Sequence, residues 1–128
     1  MFENSPNVLV VDDEVHILHV IALKLRNAGY RVITCQDGRE AFERAQVEIP
    51  DLIITDYQMP HLSGLELCQR LRRLPSTRDI PALMLTARGF ALDEEAMARA
   101  GIGKCISKPF GPRDLLHIVE QMLNTAIV

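Results

Sequence analysis

At 128 residues, with 48% hydrophobic and 24% charged residues, the sequence has the size and balance of one soluble globular domain, residues 1–128. A formal net charge of −3 and the lack of a basic cluster argue against direct nucleic-acid binding. The start, MFENSPN, has no basic region before its four apolar residues, so neither a secretory leader nor a membrane span is expected.

The predicted elements alternate. A short apolar run at Val8–Val11 reads as a strand, followed by a helix whose apolar positions are Val15, Leu18, Ala22 and Leu25, closed near Gly29. A second strand at Val32–Cys35 precedes a helix that opens at Asp37-Gly38 and carries Ala41, Phe42 and Ala45. A third strand, Leu52–Thr55, precedes a helix after Ser63-Gly64 with Leu67, Cys68, Leu71 and Leu74. Ala82–Leu85 is a fourth strand, followed by an alanine-rich helix from about Asp93 to Ala100. A weak fifth strand, Cys105–Ser107, leads to a helix with the stripe Leu115, Ile118, Val119, Met122 and Leu123. Aromatics are sparse and Trp is absent, so the core must be aliphatic. Cys35, Cys68 and Cys105 contain no CxxC and read as reduced, buried cysteines of a cytoplasmic protein.

Five strands alternating with five helices predict a parallel sheet with right-handed crossovers and helices on both faces. Of the common open α/β arrangements, five strands suit the flavodoxin-like (βα)5 order 2-1-3-4-5. In such a sheet ligands bind beyond the carboxyl ends of the strands, where strand order reverses between the first and third. Asp12 and Asp13 end the first strand and Asp56 the third; Thr86 ends the fourth, and the fifth leads to Lys108. On the edge strand, Gln36 and Asp37 read as turn and cap residues.

Two carboxylates about 4 Å apart repel by roughly 4 kcal/mol at an effective dielectric near 20, or about 3 pK units. Three acids around one lysine therefore need either a shared proton or a hard cation. Oxygen donors with room for water suit Mg²⁺, which commonly takes one or two carboxylates and a phosphate. Acids, a hydroxyl and a lysine around such an ion suit phosphoryl chemistry, where charge neutralisation does most of the catalysis. His16 and His19, three apart without a further ligand, read as a solvated helix face, and His61 and His117 as exposed residues.

VLVVDDE, IITDYQMPHLSG, MLTA and KCISKPF, in that order, resemble the receiver domain of bacterial two-component response regulators. The resemblance implies that Asp56 is the phosphoacceptor, attacking a phosphohistidine of a sensor histidine kinase or phosphotransfer protein to form an aspartyl phosphate. It implies Mg²⁺ on Asp13, Asp56 and the Gln58 backbone carbonyl, with Asp12 acting through water. Lys108 would pair with the phosphoryl oxygens and Thr86 would swing in to report the change. It implies a cis Lys108-Pro109 peptide, a downstream protein target on the fourth helix, fifth strand and fifth helix, and, commonly in the family, a homodimer on phosphorylation. The result is a signalling module rather than a conventional enzyme. A small-molecule phosphohydrolase with an aspartyl nucleophile needs a second Asp two residues on, where Gln58 stands; a phosphorylation-independent scaffold would not need the intact acidic set. One position departs from the family: three residues before the lysine, an aromatic residue is usual, and Cys105 stands here. The expectation is that Thr86 and the loop Arg88-Gly89-Phe90 carry the switch instead.

Overall fold

In a computed structural model, which describes residues 5–87 and 93–127 and side chains up to residue 124, the elements alternate as expected. Strands β1 (Asn7–Val11), β2 (Arg31–Cys35), β3 (Leu52–Asp56), β4 (Ala82–Thr86) and β5 (Ile102–Ser107) are interleaved with five helices. These are α1 (Val15–Asn27), α2 (Gly38–Val47), α3 (Gly64–Arg72), α4 (Glu94–Arg99) and α5 (Pro112–Ile127). All strand pairs are parallel, and the order is β2-β1-β3-β4-β5, the flavodoxin-like arrangement.

The two-residue period of a strand divides the core into two layers. Val8, Val10, Leu52, Ile54, Leu83 and Leu85 face α1 and α5, where they meet Leu18, Ile21, Leu25, Leu115, Val119 and Leu123. Leu9, Val11, Ile53 and Met84 face the other way, onto Ala41 and Ala45 of α2 and Leu67, Cys68 and Leu71 of α3. β3 and β4 are buried along their whole length, as strands covered on both sides must be.

Local chemistry sets the boundaries. Asp37 caps α2 by accepting the Glu40 N–H at 2.8 Å. Ser63 and Glu66 form a reciprocal capping box on α3, each side chain taking the other's backbone N–H at 3.1 Å. Past α1 the chain turns at Gly29, whose φ of +99° favours glycine.

Three expectations need correction. Cys105 is exposed, whereas Cys35 and Cys68 are buried: β5 lies at the sheet edge, and only Ile102 along it is fully covered. Val15 is 42% exposed, and Ile21 supplies the buried position in its place, because the covered face of α1 is centred one residue further round. β5 begins at Ile102 rather than Cys105, with a register shift beside Ala82–Leu83 that leaves Gly103 as the extra residue of a bulge. The loop Arg88-Gly89-Phe90, expected to join the switch, lies outside the described residues. No helix among the described residues is long and apolar enough to cross a membrane.

Candidate functional site

The carboxyl ends of β1 and β3 are adjacent because the two strands pair from Val8↔Leu52 to Val11↔Thr55. The next residue on each strand therefore meets at one rim, and those residues are Asp12 and Asp56. One carboxylate oxygen each from Asp12, Asp13 and Asp56 lies within 4.8 Å of the others. Asp12 is fully buried and Asp56 nearly so, at 7% exposure, while Asp13 faces solvent.

The backbone holds this arrangement from below. The Tyr57 N–H donates to the Leu85 carbonyl at 2.9 Å and the Gly64 N–H to the Tyr57 carbonyl at 2.8 Å. Gly64 is required by close approach: a Cβ there would meet the Asp56 carbonyl oxygen and sit 3.0 Å from Met84 Sδ. Lys108 is tied to the end of β4 by its N–H, which donates to the Thr86 carbonyl at 2.8 Å. Its peptide with Pro109 is cis, as expected.

From that anchor the lysine side chain enters the acid cluster. Its Nζ lies 3.0 Å from Asp12 Oδ2, 3.1 Å from Asp56 Oδ1 and 3.1 Å from Glu14 Oε1. Burial opposes its charge, yet the contacts to Asp12, Asp56 and Glu14 outweigh it and raise the pKa above the ordinary lysine value. Burial also pushes Asp56 up to about 6; Lys108 works against that rise, and the charges of Asp12 and Asp13 add to it. Asp56 is thus more basic than a surface carboxylate.

A cavity of about 310 Å³ opens over these groups, lined by Asp13, Glu14, Asp56, Tyr57, Gln58, Ala87 and Lys108. Thr86 is buried at the end of β4, one residue before Ala87. The acids are not helix caps: Asp12 Oδ1 accepts the Glu14 N–H at 2.9 Å, and the N-cap of α1 is Glu14, whose side chain makes no capping bond. Asp12 Oδ2 is the one buried side-chain oxygen among the described residues without an aligned hydrogen-bond donor. A hard divalent cation fits this donor set, since every available ligand atom is oxygen and the cavity has room for water. Glu14 was not anticipated as a site residue. It closes the quoted VLVVDDE run, yet only its side-chain conformation shows that it reaches Lys108.

The family model described as the response regulator receiver domain matches residues 8–120. The chain belongs to the response regulator receiver family. It is 40% identical over 120 residues to the alkaline phosphatase synthesis transcriptional regulatory protein PhoP of Bacillus subtilis, covering 94% of this chain and 49% of that protein. The phosphate regulon transcriptional regulatory protein PhoB of Rhizobium meliloti is 38% identical, with 94% and 53% covered. This receiver chain therefore spans about half the length of the curated relatives it matches. Among solved structures, the chemotaxis response regulator CheY4 of Vibrio cholerae superposes with a TM-score of 0.85 at 34% identity, covering 92% of this chain and 98% of that one. The receiver domain of a Pseudomonas aeruginosa sensor histidine kinase, with a magnesium ion coordinated in its active site cleft, has a TM-score of 0.84 at 30% identity and coverage of 94% and 98%.

The predicted residues Asp12, Asp13, Asp56 and Lys108 therefore share one site, and Gln58 lines its cavity. His16, His19, His61 and His117 are all exposed.

Proposed function

We propose that Asp56 accepts a phosphoryl group from a phosphohistidine on a sensor histidine kinase or phosphotransfer protein, and that the aspartyl phosphate changes which partner the domain binds. The observation that carries this is the position of Asp56. Its carboxylate opens into the cavity at the end of β3, 3.1 Å from Lys108 Nζ and within 4.8 Å of the Asp12 and Asp13 carboxylates.

An ionised Asp56 oxygen attacks phosphorus, the P–N bond to the donor imidazole breaks, and the imidazole leaves with the bonding pair and takes a proton. Burial of Asp56 favours this step by raising its basicity. Lys108 then supplies a mobile point charge to the phosphoryl oxygens. Asp13, Asp56 and the Gln58 backbone carbonyl would hold Mg²⁺, with Asp12 acting through water; bound Mg²⁺ supplies the charge neutralisation that phosphoryl transfer needs. The magnesium-bearing receiver structure and the all-oxygen cluster of Asp12, Asp13 and Asp56 support that assignment.

Thr86, the last residue of β4, swings in to hydrogen-bond the phosphoryl oxygens and reports the change to the face of α4, β5 and α5, where a downstream protein target docks and where two phosphorylated copies can pair. Residues 1–128 act as one receiver domain in the cytoplasm, as a signalling module that phosphorylates and dephosphorylates itself rather than as a conventional enzyme.

The test is intact mass after incubation with acetyl phosphate, with and without Mg²⁺, on wild type and Asp56→Asn. One Mg²⁺-dependent phosphoryl adduct, lost in the variant, is expected. A wild type that takes up no phosphoryl group at early times, or a variant that still does, overturns the assignment.

A further inference from the structure

Glu14 is the fourth acid at the rim and has no part in the acceptor chemistry above. It stands at the N-cap of α1 but makes no capping bond there. Its Oε1 instead accepts a hydrogen bond from Lys108 Nζ at 3.1 Å, across 94 residues of sequence. Three carboxylates thus crowd one ammonium, and they are not equivalent. The side chains of Asp12 and Asp56 are 0% and 10% exposed, whereas that of Glu14 is 50% exposed.

An ammonium has three donors, and each of the three carboxylates lies within reach of one. A phosphoryl group on Asp56 brings further anionic oxygens to the cavity that Glu14 and Lys108 both line. Lys108 can turn to them only by leaving one present partner. Asp12 is buried and Asp56 bears the new group. Glu14, half in solvent, is the partner whose ionic contact is most screened and whose release leaves no charge buried.

We propose that Glu14 is a positioning residue that holds Lys108 at the rim of the unphosphorylated site and competes with the incoming phosphoryl group for its ammonium. This rests on the assignment of Asp56 as acceptor. Glu14 thereby slows phosphoryl uptake: each transfer must displace its carboxylate from Lys108.

Two substitutions test it. Glu14→Gln keeps the size and removes the charge; Glu14→Asp keeps the charge but shortens the side chain by one methylene, taking the carboxylate away from Nζ. Initial rates of adduct formation with acetyl phosphate in saturating Mg²⁺ are read by intact mass, and melting is followed by circular dichroism. Both variants are expected to label about fivefold or more faster than wild type, with the melting temperature unchanged in Glu14→Gln and unchanged or raised in Glu14→Asp, where Asp at the N-cap position can cap α1. A Glu14→Gln rate within twofold of wild type overturns the proposal. So does a fast Glu14→Gln beside a wild-type rate for Glu14→Asp, because negative charge alone would then be the brake. Normal labelling of wild type in either case leaves the acceptor assignment standing; a wild type that takes up no phosphoryl group removes both.

Discussion

The switch point between β1 and β3 lies inside the sheet, whereas α4 and β5 form one of its edges, and the two are built very differently. At the switch point, Val8 to Val11 and Leu52 to Ile54 are at most 1% exposed, and two layers of helices close over them. At the edge, α4 is six residues long with no buried residue, and β5 is fully covered only at Ile102. The clustered acids stand at the ends of buried strands, where dense contacts fix side-chain position. Two elements of the proposed docking face, α4 and β5, stand where few buried side chains hold the backbone, the condition for local opening at low free energy, while α5 packs into the core through Leu115, Val119 and Leu123. A receiver needs both: a rigid place for chemistry and a loosely held one for reporting it.

The contrast is sharpest in a pair of core truncations. Ile54 is completely buried in β3, so Ile54→Ala is expected to lose about 2–5 kcal/mol in urea unfolding followed by circular dichroism. Ile106, partly buried in β5 against the same cluster, should lose only about 1 kcal/mol as Ala, in line with its smaller buried area. Equal losses would break the distinction between the central strand and the edge strand.

Asp56 probes the switch point electrostatically. Burial raises its pKa to about 6 in the folded chain, against an ordinary value of 3.8. Between those values the folded state binds the extra proton, so its contribution to stability falls as pH rises from about 4 to about 6 and is level above that. In metal-free buffer at pH 7.5, Asp56→Asn removes a buried charge held at unfavourable cost. The variant should therefore be more stable than wild type by up to about 3 kcal/mol, and the gap should close below about pH 4. Thermal melts of both proteins across pH 4–8 check the sign. A wild type more stable than the variant at pH 7.5 would mean that the Lys108 contact outweighs burial.

Glycines give a third contrast. Gly64→Ala drives a methyl into the Asp56 carbonyl and against Met84, and overpacking of that kind typically costs about 1–3 kcal/mol. Gly103→Ala, on β5, meets only Met122 Cε at 3.6 Å, an ordinary contact. A drop in melting temperature confined to Gly64→Ala is expected.

The same division marks what the sequence could reveal. Continuous apolar runs announced β1, β3 and β4, and parallel topology then forced their carboxyl ends together, so Asp12, Asp13 and Asp56 could be placed at one rim before any coordinates. Lys108 followed because β5 is parallel to the others. β5 itself was half hidden: in Gly101-Ile102-Gly103-Lys104 a single strand former stands between two glycines, and the bulge breaks the two-residue period. Which face of α1 is covered depends on how it packs on the sheet, so Ile21 could not be told from Val15 by spacing alone. The reach of Glu14 to Lys108 is a matter of rotamers across 94 residues and leaves no pattern in the chain.

Cys105 supplies the smallest expected effect and tests the loosely packed end directly. It is exposed on β5 beside Met97, with Sγ 3.2 Å from the Met97 sulfur. Burial pushes the Cys35 and Cys68 thiols up to about 12, and both lie in the core beneath α2 and α3. The Cys105 thiol is raised as well, again by burial, yet it remains accessible. Thiolate and access are both needed for alkylation. Native protein treated with iodoacetamide at pH 8 should therefore gain one adduct, mapped to Cys105 by peptide mass, and gain three only when unfolded. Cys105→Ala should change stability by no more than about 0.5 kcal/mol, because an exposed edge position has little packing to lose. Labelling of Cys35 or Cys68 at a comparable rate would mean that α2 and α3 open as readily as β5, and the rigid half of the molecule would not be rigid.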